Sequence, residues 1–313
     1  MFTQIIELIK NAPIVIIHRH ERPDGDAIGC QLGLKELIKT NFPEKEVYAV
    51  GDDARGYAFM APMGFDAVDD AKYADALGVV LDCGSAKLIS DNRYASAKNT
   101  ARIDHHIFCE KICDTEVIDT SYESCCGMIA DMAIKAEWTI SSEAATALYT
   151  GMITDSGRFR YDSTSPRTLY IASKLLESKV DFSEIFRNLY SDTYENKKLK
   201  ATFLLKVNFT EKNVAYIYTD KAELASLNID TFTASRGMVN TMADMKGVDI
   251  WVNFTEANEG VFCEIRSSVY NINPIAVKYG GGGHAKASGA TLKSKEEAMQ
   301  LLSDLNDMIG ANK

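Results

Sequence analysis

Ile14-Val15-Ile16-Ile17-His18-Arg19-His20-Glu21-Arg22-Pro23-Asp24-Gly25-Asp26 is the stretch on which the fold turns. Its first four residues are apolar and β-branched, which predicts a buried strand. It closes on His20, Asp24 and Asp26, three residues of metal-ligand type. Pro23 and Gly25 break the strand there and impose a tight loop. Ile28, Leu32, Leu37 and Ile38 then recur on one helical stripe. The acids therefore lie at the carboxyl end of a strand, at the mouth of a strand–loop–helix unit, where open α/β sheets bind ligands. Read alone, the same residues describe an acidic turn with Asp26 capping the helix.

Moving outward, residues 3–11 read as a helix with Ile5, Ile6, Leu8 and Ile9 turned inward. Strands are expected at 46–50, 78–81, 100–103 and 116–118. The third is uniformly apolar, as a strand buried on both faces should be, and stops at Asp82 before Gly84. The fourth runs into Asp104-His105-His106. Helices follow from Ser121 and from Ser141 to Asp155, then after Ser165-Pro166 and Asp181. Asp155 falls at a helix C-terminus, where the macrodipole disfavours an anion and a cation would compensate. This alternation predicts an α/β fold, a parallel sheet with helices on both sides.

The dense charge of Glu195-Asn196-Lys197-Lys198-Leu199-Lys200 marks a connector. We expect a first domain over 1–190, a helical linker over 191–206 and a smaller α/β domain over 207–313, with a cleft between the two domains. In the second half, strands at 207–209, 214–218, 250–254 and 261–265 predict a mixed sheet, with helices near 221–227, 232–244 and 294–309. Gly280-Gly281-Gly282-Gly283-His284 lacks the order of a Walker loop or a dinucleotide fingerprint. It reads either as a hinge or as a nest of N–H groups open to a phosphate, flanked by His284, Lys286 and Ser288. Arg158, Arg160 and Arg266 are candidate charged donors to phosphate.

The formal net charge is −10, which argues against sequence-blind binding of long nucleic acid while leaving room for a small phosphorylated ligand. The seven cysteines are irregularly spaced; we read them as free thiols of a reducing cytoplasm, with Cys109 and Cys113 on one helix face. The first ten residues form an amphipathic helix with no signal-peptide pattern, and no apolar run is long enough to span a membrane.

His20, Asp24, Asp26, Asp82, Asp104, His105, His106 and Asp155 each end a strand or helix of the first half. Singly, each reads as an ordinary polar turn. Collected at one sheet edge, and holding three of the chain's five histidines, they suit Mn²⁺, Mg²⁺ or Zn²⁺, and their number suffices for two ions. Two ions about 3.5–4 Å apart are the usual apparatus of phosphoester hydrolysis.

The motifs His20-Glu21-Arg22-Pro23-Asp24-Gly25-Asp26, Leu81-Asp82, Ile103-Asp104-His105-His106, Thr154-Asp155-Ser156-Gly157 and Gly281-Gly282-Gly283-His284 together resemble the DHH phosphoesterase superfamily, in its nanoRNase/pAp-phosphatase branch, kin to RecJ. The resemblance covers essentially the whole chain. It implies two ions, Mn²⁺ first among them. His20 and Asp24 would hold one, Asp26, His105 and Asp155 the other, and Asp82 would bridge. Asp104 would orient the histidines, and His106 would contact the scissile phosphate and protonate the leaving oxygen. Arg158, Arg266, His284 and the loop Gly281, Gly282, Gly283 would bind substrate, the last five from a DHH-associated domain.

The implied reaction is hydrolysis of very short oligonucleotides such as pApA, or removal of the 3′-phosphate of pAp. A cyclic di-AMP phosphodiesterase, a family II inorganic pyrophosphatase and a non-catalytic nucleotide-binding module remain alternatives. The sequence does not rank these substrates, and a homodimer is compatible with it.

Overall fold

The computed structural model describes residues Met1–Ala311, which fall into two compact units that divide between Ser191 and Asp192. Asn312 and Lys313, within the expected second domain, lie outside the described residues.

In the first unit the order is α1 (Thr3–Asn11), β1 (Ile14–His18), α2 (Gly25–Asn41), β2 (Glu46–Ala49), β3 (Ala76–Leu81), β4 (Asn99–Asp104), β5 (Thr115–Ile118), α3 (Cys125–Lys135), α4 (Ser142–Asp155), α5 (Pro166–Leu176) and α6 (Phe182–Tyr190). All strand pairs are parallel, in the order β2-β1-β3-β4-β5. The order reverses between β1 and β3, which opens a crevice beyond their carboxyl ends.

One expectation is corrected here. The α-helices gather on one face of the sheet, where Val15, Ile17, Leu77, Val79, Leu81, Ala101 and Ile103 meet residues of α1 to α6 in a single core. The opposite face carries Ile16 and Val80 and is covered by loops and 3₁₀ turns that contribute Tyr73 and Tyr94. The connections from β3 to β4 to β5 contain no α-helix. Cys109 and Cys113 lie in one of these loops, not on a helix. All seven cysteines are free.

Helices α2 and α4 cross closely because small residues face each other. A Cβ at Gly29 would lie 2.6 Å from the Ala147 carbonyl oxygen, and one at Gly151 would lie 3.1 Å from the Gly25 carbonyl oxygen and 3.2 Å from Asp26 Cα. Ordinary carbon contacts are about 3.5–4.0 Å, so only glycine permits this approach.

His18 is fully buried on the 3₁₀ side, between Tyr73 and Tyr94. Its Nδ1 lies 3.0 Å from the Asp91 carbonyl oxygen, and its Nε2 has no partner. Burial pushes the imidazole down to about 4, against the pull of Asp91. The unfolded chain, with an ordinary value near 6.5, binds that proton more readily. The linkage therefore runs one way: full stability above pH about 6.5, and a loss approaching ~3 kcal/mol as pH falls towards 4. Urea unfolding of wild type and His18→Asn at pH 7.5 and 5 should show the larger loss in wild type; equal losses would refute the assignment.

The second unit contains α7 (Tyr194–Leu205), β6 (Asn208–Phe209), β7 (Ala215–Thr219), α8 (Lys221–Leu227), β8 (Ile250–Glu256), β9 (Val261–Ser267), α9 (Asn273–Lys278), β10 (Gly282–Gly283), β11 (Ala287–Leu292) and α10 (Lys295–Ala311). The sheet order is β10-β11-β9-β8-β7-β6, with only β7–β8 parallel. The helix expected at 232–244 is instead a π-helical turn, Thr233–Gly237, and a 3₁₀ turn, Val239–Met242. Asn253 reaches into this bend and donates to the carbonyls of Ala234 and Ser235, so buried side-chain bonds replace helical ones.

Candidate metal centre

Each ligand-type residue of the first unit is delivered by the end of an element. His20 follows β1. Asp24 is the N-cap of α2 and accepts from the N–H groups of Asp26 and Ala27, both at 3.0 Å. The cap is thus Asp24 and not Asp26. Asp26 sits within the first turn and is buried; its two oxygens accept from Cys125 N at 2.7 Å and Cys126 N at 2.9 Å, at the N-terminus of α3. Burial pushes this carboxyl well up, with Asp82 and Asp155 adding repulsion; the two donors and the positive end of the helix oppose that push.

Asp82 follows β3, is 2% exposed and has φ of 52°. That left-handed conformation is uncommon outside glycine, though tolerated best by Asp and Asn. It presents the two carboxylate oxygens in opposite directions. Oδ2 lies 3.5 Å from His20 Nε2, and Oδ1 lies 3.4 Å from His105 Nε2. His20 Nε2 is in turn 3.9 Å from Asp24, and His105 Nε2 is 3.8 Å from Asp26 and 3.5 Å from Asp155.

These separations exceed the 2.7–3.2 Å of an ordinary N–H···O bond, and Asp82 Oδ1 is buried with no hydrogen-bond partner. Two donors about 2.1 Å from a shared divalent ion, at tetrahedral to octahedral angles, lie roughly 3.0–3.5 Å apart. The donor set is oxygen and imidazole throughout. Three groups of atoms are close enough to hold a cation: His20, Asp24 and Asp82; Asp26, His105 and Asp155; and Asp82, His105 and His106. The residues therefore fit the ions they were expected to hold.

His106 is turned differently. Its Nδ1 lies 2.8 Å from Asp104 Oδ1, and its backbone N–H reaches the same oxygen at 3.2 Å. Asp104 is wholly buried and accepts from the equally buried Arg102. With Nδ1 occupied in this way, the outward ring nitrogen is Nε2. The chain Arg102–Asp104–His106 fixes the ring's orientation; it does not extend to His105.

The electrostatics follow from crowding. Burial pushes the His20 imidazole down, but the Asp82 carboxylate more than offsets this and raises it to about 9. His105 is likewise lowered by burial, then lifted to about 10 by Asp82 and Asp26. Burial raises Asp155 to about 7, with His105 opposing and Asp82 adding repulsion. Burial acts on Asp82 too, yet His105 and His20 hold it below the usual carboxylate range. Divalent ions must displace the protons from His20, His105 and Asp155. Mn²⁺ affinity should therefore rise between pH 6 and 8, by about tenfold or more per unit, with proton release. Calorimetric titrations in two buffers of different ionisation heat check this; a pH-independent affinity would contradict it.

Arg158 lies three residues beyond Asp155, in a run of left-handed backbone at Gly157, Arg158 and Phe159 with φ of 57°, 65° and 61°. Its guanidinium stands 4.9 Å from the centre of the Tyr190 ring. The other expected substrate residues lie on the second unit. Arg266 is half-buried on β9, and His284 is exposed at the turn between β10 and β11. The glycine run is a hairpin arm and not an open nest: Gly281 N donates to Ala276 O, His284 N donates to Ala287 O, and Gly282 and Gly283 pair with Gly289 and Ser288. A Cβ at Gly281 would lie 2.0 Å from the Gly289 carbonyl oxygen, so the glycines serve close strand packing.

Sequence reasoning passed over Arg19 and Gln31. Arg19 is fully buried behind His20 and bonds Gln31, Asp52 and the His20 carbonyl. Its one visible signal was a charged residue at the end of an apolar strand.

Comparison with known proteins agrees with this geometry. Residues 14–152 match the DHH family, N-terminal domain, and residues 221–311 match the DHHA1 domain. The bifunctional oligoribonuclease and PAP phosphatase NrnA of Bacillus subtilis is 34% identical over 311 residues, covering 98% of each chain.

This chain belongs to the DHH family.

DHH phosphoesterases are metal-dependent hydrolases, and the residues around Asp82 form a cluster that could hold metal ions. The NrnA protein of Mycoplasma pneumoniae is 35% identical over 98% of this chain and 96% of its own length. A solved structure of an exopolyphosphatase-related protein from Bacteroides fragilis superposes with a TM-score of 0.85 at 26% identity, over 98% of this chain and 95% of that one. Among the described residues no helix is long and apolar enough to cross a membrane.

Proposed function

We propose that this DHH protein hydrolyses very short oligoribonucleotides to mononucleotides and removes the 3′-phosphate of pAp, using two divalent ions, with Mn²⁺ as the working metal, in the cytoplasm. The observation that carries this reading is the Asp82 carboxylate, whose two oxygens face two separate imidazole–carboxylate groups. The named activity of the NrnA relatives supplies the substrate class.

His20 and Asp24 would hold one ion, Asp26, His105 and Asp155 the other, and Asp82 would serve both. Bound there, the ions supply Lewis-acid polarisation of a phosphoryl oxygen and a water acidic enough to act near neutral pH. The protein's own residues do the rest. His106 is raised by its bond to Asp104, which favours the protonated ring, and it would offer that proton from Nε2 to the departing oxygen. Asp104 keeps Nδ1 protonated and the ring in place, and Arg102 holds Asp104. Arg158 meets a phosphate oxygen. On the second unit Arg266, His284 and the hairpin of Gly281, Gly282 and Gly283 form the surface that receives the nucleotide.

The test is turnover with Mn²⁺ on pAp, linear pApA, a five-nucleotide RNA, cyclic di-AMP and pyrophosphate. Release of AMP from pApA or pAp supports the proposal. Activity on pyrophosphate or cyclic di-AMP alone would replace it.

A further inference from the structure

The second unit holds two guanidinium groups on one carboxylate. Glu264, on β9, accepts from Arg236 Nε at 2.9 Å through Oε1 and from Arg266 Nη2 at 3.1 Å through Oε2. The two arginines differ in what they have left to offer. Arg266 is 20% exposed at its side chain, and its Nη1 also donates to the carbonyls of Ile265 and Ser288. Arg236 projects from the π-helical turn Thr233–Gly237, is 64% exposed and spends only Nε on the pair. Both of its terminal amino groups are left for a ligand. An ion pair this exposed contributes at most about 1 kcal/mol to stability, so folding does not require a second arginine there.

The surroundings leave room for an anion. Across the ladder Glu264 faces Gly289, which has no side chain to cover it. Ser288, whose carbonyl Arg266 holds, bonds its hydroxyl to the His284 carbonyl at 2.8 Å, and Asn273 bonds the Gly283 carbonyl at 2.7 Å. The arginines and the glycine–histidine hairpin are thus one connected polar surface. With two guanidiniums and one carboxylate, the trio keeps a net positive charge.

We infer that Arg236 and Arg266 form the seat of a phosphate group that is not cleaved, with Glu264 as the positioning residue that holds both guanidiniums side by side. The inference rests on the phosphoesterase reading. A nucleoside bisphosphate keeps one phosphate when it loses the other, and a 5′-phosphorylated dinucleotide keeps its terminal phosphate. Such a dianion calls for forked, charge-assisted donors, and Arg236 supplies the uncommitted fork.

The experiment compares pAp with 3′-AMP, which lacks the 5′-phosphate, in the full-length Mn²⁺-loaded protein carrying wild-type, Arg236→Gln or Arg236→Lys sequence. Wild type should prefer pAp, and Arg236→Gln should cut that preference about 10- to 100-fold, the worth of one charge-assisted contact, through KM. Lysine should restore part of it, as a point charge without the fork. A melting temperature close to wild type would show that the variant is folded. An unchanged preference, or an equal loss on both substrates, overturns the inference. If wild type hydrolyses neither these compounds nor pApA, the phosphoesterase reading fails separately. Calorimetric binding of the same two compounds then decides the seat: a preference for pAp lost in Arg236→Gln supports it, and an unaltered preference rejects it.

Discussion

Asp82→Asn is expected to lower kcat on pApA or pAp by at least about 10³-fold, the scale of losing charge stabilisation worth several kcal/mol at the reacting phosphate. The substitution is the mildest that removes the charge. Asparagine keeps the shape of the side chain and tolerates the φ of 52° found at this position. What disappears is an anionic oxygen facing His20 and another facing His105. Because both groups depend on this one carboxylate, the variant should lose affinity for both ions together, and excess Mn²⁺ should rescue it poorly. Calorimetry of Mn²⁺ binding alongside turnover checks the prediction. A variant that retained two tight ions, or activity within tenfold of wild type, would remove Asp82 from the centre of the site.

Gly151→Ala should destabilise the first unit by about 3 kcal/mol, lowering its melting temperature by roughly 6–12 °C. The sign is informative, because alanine in a helix interior ordinarily gains about 1 kcal/mol over glycine. Here the added carbon would stand 2.2 Å from Cys126 Sγ, 3.1 Å from the Gly25 carbonyl oxygen and 3.2 Å from Asp26 Cα. The clash therefore bears on both α3, which bonds the Asp26 carboxylate, and α2, which carries it. Mn²⁺ affinity should fall along with stability. Gly56→Ala, where nothing lies within 4 Å of the new carbon, is the control and should melt like wild type. A stabilised Gly151→Ala protein would show that the helices can part without cost.

The candidate metal ligands were legible as a cluster in the chain because each ends a periodic element, and a parallel sheet gathers the carboxyl ends of its strands at one edge. Their supports were not. Asp26 is oriented by residues about a hundred positions away, at Cys125 and Cys126, and no local pattern announces that contact. The glycine run looked like an open anion nest because its partner strand, Ala287–Leu292, is built from Ala, Ser, Gly and Thr up to its last residue, Leu292, with little apolar alternation. Without that partner its N–H groups appeared uncommitted. The expected helix at 232–244 failed for a similar reason: the amide of Asn253 outbids helical hydrogen bonding there by capturing two backbone carbonyls. Arg236 was hidden by the same error, since its place opposite Glu264 depends on the bend.

The spread of the cluster along the chain, from His20 to Asp155, bears on when this cluster can come together during synthesis. The strand bearing Asp82 must pair with those before and after it, and α4 must dock on α2, before Asp155 approaches His105. A nascent chain that has emerged only as far as Asp104-His105-His106 holds the parts of the His20 group but lacks Asp155 altogether. The complete cluster can therefore assemble only late in translation of the first unit, and a ribosome stalled before residue 155 would present a chain unable to complete it.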